Sequence, residues 1–134
     1  MSTQLLKETL ESFKEDLVEY INDEILDITE VMMAETFADQ VIKIAQRITF
    51  FKDRPEKKIH GVIGEPDSGY IWNVYVVNTK GGWVTCSDDE STGVSRTLYY
   101  PFYCADDEEG WFAGLTTLAS MINEAWYHCY YPIH

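Results

Sequence analysis

Lys58-Ile59-His60-Gly61-Val62-Ile63, followed after a turn-rich gap by Tyr70-Ile71-Trp72-Asn73-Val74-Tyr75-Val76-Val77, is where the apolar spacing of this 134-residue chain changes from helical to alternating. Short runs dominated by β-branched and aromatic side chains suit a pleated, half-buried surface and predict strands. Gly82–Ser87 and Val94–Cys104 continue the pattern. The gaps Gly64-Glu65-Pro66-Asp67-Ser68-Gly69, Asn78-Thr79-Lys80-Gly81 and Asp88 to Gly93 are rich in residues that favour tight turns. Connections this short predict a four-stranded antiparallel meander over residues 58–104. Pro101 belongs at an edge or a break of its last strand, because it has no N–H to give a ladder.

On the amino-terminal side, Leu6, Leu10, Phe13, Leu17, Ile21 and Ile28 recur at helical spacing and predict one long amphipathic helix from Ser2 to Ile28. A second helix is expected from Thr36 to Lys52, with Phe37, Val41, Ile44, Ile48 and Phe51 on one face. Thr36 and Asp39 form a capping-box pattern at its start, and Pro55 stops the chain beyond its end. The junction around Ile28 to Glu35 holds no Gly or Pro, so periodicity alone does not locate it. On the carboxyl side Trp111, Leu115, Leu118, Ile122 and Trp126 predict a closing helix from Glu108 to His128. The expected whole is a single α+β domain: an acidic helical region at 1–52 with two helices, the sheet, and the last helix packed on one face of the sheet.

Charge is distributed unevenly along this frame. Eleven carboxylates against Lys7 and Lys14 give the first forty residues nine of the thirteen net negative charges. Glu8, Glu11, Glu15 and Glu19 fall nearly opposite the apolar stripe, with Asp16, Asp23 and Asp27 on its flank, so they read as a solvent-facing ridge. Like charges at i and i+4 cost about 0.2 to 0.5 kcal/mol per pair. A chain that keeps them anyway invites a role outside the fold, the simplest being attraction to a cationic partner. A second acidic run, Asp88-Asp89-Glu90, lies near the aromatic group that contains Tyr99 and Tyr103. Tyr and Trp carry much of the binding energy in protein interfaces, so these five residues join the ridge as candidate partner contacts. Asp106 to Glu109, by contrast, has a structural reason at the amino terminus of the closing helix.

Other functional classes find less support. Ten Lys and Arg against twenty-three Asp and Glu disfavour direct nucleic-acid binding, which rests on neutralising phosphates. Anionic membrane surfaces are disfavoured for the same reason. There is no GxxxxGK[ST], no GxGxxG and no calcium-loop pattern. Cys86, Cys104, Cys129, His128 and His134 lack the paired spacing of a structural zinc site and any local signature of a thiol nucleophile. No cofactor or metal is therefore expected, and no catalytic residue is marked.

Three widely spaced cysteines, no export-type apolar run and no bilayer-length segment predict a cytosolic address, that of a host cell if the gene travels on a phage or plasmid. In size, acidity and poverty of motifs the chain resembles the small inhibitors of phages and mobile elements, including anti-restriction and anti-CRISPR proteins. That resemblance implies a non-enzymatic, DNA-mimicking inhibitor, monomeric or homodimeric, that occludes the basic groove of a nucleic-acid-handling protein. An immunity protein against a cationic toxin, or an acidic secretion chaperone, is the alternative binding class. A small metal- or thiol-dependent enzyme ranks third.

Overall fold

Helix α1 at Thr3–Ser12 and helix α2 at Lys14–Glu24 occupy the stretch expected to be one helix. They belong to a computed structural model that describes residues 3–50, 58–64, 71–77, 83–87, 95–99 and 108–130. The interruption falls at Phe13, whose ψ of 1° lies off the helical value. Its N–H bonds the carbonyl of Leu10 at 3.2 Å, a three-residue closure, before Leu17 N–H restores the four-residue bond to Phe13 at 2.9 Å. A tertiary contact accompanies the break: the rings of Phe13 and Phe112 lie 5.5 Å apart at 44°.

Beyond α2 the chain is extended at Ile25 and closes a 3-10 turn at Ile28–Glu30. Helix α3, Ala34–Phe50, then starts two residues before the expected Thr36. Phe37 N–H already bonds the Met33 carbonyl at 3.0 Å, which moves Thr36 and Asp39 inside the helix and out of the capping-box positions. Asp39 is used differently, with Lys43 Nζ at 3.0 Å and Lys14 Nζ at 3.9 Å.

Strands β1 (Lys58–Gly64), β2 (Ile71–Val77), β3 (Trp83–Ser87) and β4 (Ser95–Tyr99) follow, and helix α4 spans Glu108–Tyr130. Backbone pairing is antiparallel in the order β1-β2-β3-β4, from Lys58 opposite Val77 to Ser87 opposite Ser95. The expected architecture nevertheless needs correction. The protein is mostly helical, with four α-helices rather than three, and three of them precede the sheet. Among the described side chains the sheet enters the core only through the antiparallel pair β1–β2, by way of Ile63 and Val74. The described strand side chains that stand in the core thus belong to one two-stranded antiparallel pair and not to a four-stranded meander. Every other described core residue comes from a helix or from the connector between α2 and α3. The physical reason is that α1, α2, α3 and α4 bring their buried stripes together in one core, while α3 also packs on β1 and α4 on β3 and β4. Leu10, Leu17, Ile21, Phe37, Val41, Leu115, Leu118, Ile122 and Trp126 are all buried.

Two contacts seat α3 on β1. A methyl group at Gly61 would stand 2.6 Å from Ile44 Cγ1 and Cδ1, so the absence of a side chain there admits the helix. Gln40 pairs its amide with the backbone of Gly64, donating to the carbonyl at 2.7 Å and accepting from the N–H at 3.0 Å. Gly64 has a φ of 150°, a conformation costly for residues with a Cβ. The expected turn segments, Pro101 and the extension of the last strand to Cys104 lie outside the described residues.

Candidate partner-binding surface

Leu17 and Ile21 turn one side of α2 into the core, and at 100° per residue Glu15 and Glu19 then fall on the far side. Glu15, Asp16, Glu19 and Asp23 are all exposed. None of the four makes an ion pair with a described residue. Glu15 and Glu19 are about 6 Å apart along the axis, from a rise of about 1.5 Å per residue.

The ridge expected along one helix is thereby shortened. Glu8 and Glu11 stand on α1, across the break at Phe13. The carboxylate of Glu11 is taken up within the fold, accepting from Gln46 Nε2 at 3.1 Å. Asp27 is drawn further in. It is half-buried at the start of the 3-10 turn, and its Oδ2 accepts from Asn123 Nδ2 at 3.0 Å. Glu8 and Glu11 are exposed on α1, and Glu15, Asp16, Glu19 and Asp23 are the larger exposed set, on α2.

Of the remaining candidates, Tyr99 is the last residue of β4, while Asp88, Asp89, Glu90 and Tyr103 lie outside the described residues. The aromatic group on α4 divides, with Trp126 in the core and Tyr127 at the surface. Cys86 is placed on β3, and His128 and Cys129 on α4; Cys104 and His134 lie outside the described residues. Among the described residues no group of three His, Cys, Asp or Glu is arranged to hold a metal ion. Nor is any described helix long and apolar enough to cross a membrane.

A feature that periodicity does not reveal lies between α2 and α3. Leu26 is 65% exposed, Met33 63% and Val31 40%. Ile25, Ile28 and Met32 of the same connector are buried, so the chain spends half its apolar residues there on the core and half on solvent. Asn22, Thr29, Val31 and Met33 border an open groove of about 450 Å³. The signal was the density of large apolar residues from Ile25 to Met33, more than one buried face of a nine-residue connector needs. A second groove of about 200 Å³ runs between α2 and α4, lined by Thr116, Thr117, Met121 and Glu124. The hydroxyls of Tyr20 and Ser120 are hydrogen-bonded at 2.9 Å within it.

Comparison of the chain with protein-family models, curated proteins and solved structures found no match in any of the three.

Proposed function

We propose that this protein is a non-enzymatic acidic binding protein, an inhibitor of phage or mobile-element type that occupies the basic groove of a nucleic-acid-handling protein. The observation that supports this reading is the exposed set Glu15, Asp16, Glu19 and Asp23 on α2, without ion pairs to described residues. A helix displaying charge every few ångströms offers a basic groove a linear array comparable to one strand of a duplex, whose phosphates are about 3.4 Å apart. The mechanism is occlusion. Lys and Arg that would neutralise phosphates neutralise carboxylates instead, and the groove is closed to nucleic acid by stoichiometric binding.

Capture of partners from a host lysate at low salt, with elution along a salt gradient, tests the reading. Partners retained by the wild type should elute early, because exposed charge pairs are screened within about 10 Å at 0.1 M salt. The combined variant Glu15→Gln, Asp16→Asn, Glu19→Gln, Asp23→Asn should retain none. Retention undiminished by that variant or by high salt sinks the reading.

A further inference from the structure

We infer that the connector between α2 and α3 is the apolar half of the same docking surface, and that the segment it receives is a basic amphipathic stretch of protein, with apolar side chains on one face and Lys or Arg on its borders. The inference rests on the functional reading above and narrows it, because a pure phosphate mimic needs carboxylates alone. Leu26, Val31 and Met33 are large, apolar and exposed within a short connector. Val31 and Met33 line an open, shallow groove together with Met32 and Ala34. Contiguous exposed apolar patches rimmed by polar residues mark interaction sites.

Charge complementarity identifies the occupant. Asp23 and Glu24 close α2 on one side of the connector, Glu30 ends the 3-10 turn within it, and Glu35 opens α3 on the other side. All four are exposed, and none makes an ion pair with a described residue. Glu35 has a local reason at a helix amino terminus, but Asp23 and Glu24 sit at a helix carboxyl end, where negative charge is unfavourable. A groove that sets Val31, Met32 and Met33 beside Glu30 and Glu35 repels nucleic acid and anionic lipid, and it offers nothing special to an uncharged apolar ligand. It fits an apolar anchor flanked by cations, since the two halves of such a segment meet the two halves of the surface.

The test uses two synthetic probes of equal positive charge: a helical peptide with leucines on one face and lysines on the other, and an oligolysine. Titration calorimetry with the full chain should show the leucine–lysine peptide binding at least tenfold more tightly. Leu26→Ser with Met33→Ser should remove that preference while leaving oligolysine affinity within twofold. Both positions are exposed, and circular dichroism should show the variant's helical signal unchanged. Methyl resonances of Leu26, Val31 and Met33 should shift with the amphipathic peptide and not with oligolysine. Equal affinity for the two probes, or a preference that survives the double substitution, overturns the inference. Concentration-dependent dimerisation abolished by Met33→Ser also overturns it, by assigning the surface to a second copy of this chain. Loss of oligolysine binding on neutralising Glu15 and Glu19 reports on the α2 ridge separately, so failure of the two readings is distinguishable.

Discussion

Asn123 donates its amide Nδ2–H to the carboxylate of Asp27 at 3.0 Å, joining the middle of α4 to the start of the 3-10 turn. Its Oδ1 accepts from the N–H of the next residue, Ile28, at 2.9 Å. One side chain therefore satisfies a donor and an acceptor of the connector, and it does so from a position only 6% exposed. The relationship explains how a connector without Gly or Pro holds a fixed path beside the core.

Removing that amide should be expensive. Asn123→Ala leaves the Ile28 N–H without its acceptor, and an unsatisfied buried polar group costs about 1 to 3 kcal/mol. Asn123→Asp should cost more, since it loses the donor to Asp27 and sets a second carboxylate against the first. Urea unfolding of both variants checks the order, and an Asn123→Ala midpoint equal to wild type would show that the bridge carries no stability.

The helical stripes of α3 and α4 were legible because Phe37, Val41 and Ile44, and Leu115, Leu118 and Ile122, bury at the spacing their sequence displays. Phe13 was not, because it fits the stripe equally well in an unbroken helix and the ring it meets belongs to α4. The weight of the sheet was overestimated for a related reason. Alternation at 58–63 and 70–77 announces strands, but not which side chains will reach the core, and of the described ones Ile63 and Val74 do. At the candidate surface the exposure of Glu15 and Glu19 followed from the wheel. The withdrawal of Asp27 could not follow from it, since its partner Asn123 lies on another element. The connector's Leu26, Val31 and Met33 escaped notice because they are out of phase with any stripe, and that is also why they face solvent.

Gly61 and Ile44 should show coupling of opposite sign in two backgrounds. In the wild type, Gly61→Ala drives a methyl to 2.6 Å from the Ile44 side chain, and overpacking of this kind costs about 1 to 3 kcal/mol. In an Ile44→Ala background the nearest remaining atom of that side chain is Cβ at 3.9 Å, ordinary contact. There the same change should be neutral or stabilising by about 0.5 to 1 kcal/mol, because glycine weakens a strand interior. A double-mutant cycle in urea reads the difference, and additive effects would mean that α3 and β1 do not approach this closely.

Phe13 and Phe112 offer a test of what breaks the first helix. Tilted aromatic pairs contribute about 0.5 to 1.5 kcal/mol beyond the area they bury, so the cycle Phe13→Leu with Phe112→Leu should give a coupling in that range. The helical signal in far-ultraviolet circular dichroism should hold in all three variants, since leucine keeps the helix propensity. A coupling near zero would separate the break from the ring contact.

Neutralising the ridge should weaken binding throughout, whereas its effect on stability depends on position along α2. Glu15 and Asp16 occupy the first turn, where negative charge is favoured by the helix dipole by about 0.3 to 1 kcal/mol. Removing them should leave stability level or slightly lower. Asp23 lies in the last turn, at the negative end of the dipole, and Glu19 faces both Glu15 and Asp23 at a spacing of four residues. Glu19→Gln with Asp23→Asn should therefore stabilise the fold by about 0.7 to 2 kcal/mol, from two repulsions of about 0.2 to 0.5 kcal/mol each plus a dipole contribution of about 0.3 to 1 kcal/mol. The gain should shrink as salt is added, because screening relieves the same repulsion in the wild type. Urea midpoints at low and high salt, measured beside retention of the captured partner, decide the matter: carboxylates kept at a cost to the fold and needed for the complex are there for the partner. A variant that gains stability and binds as before would leave the ridge with no purpose beyond solubility.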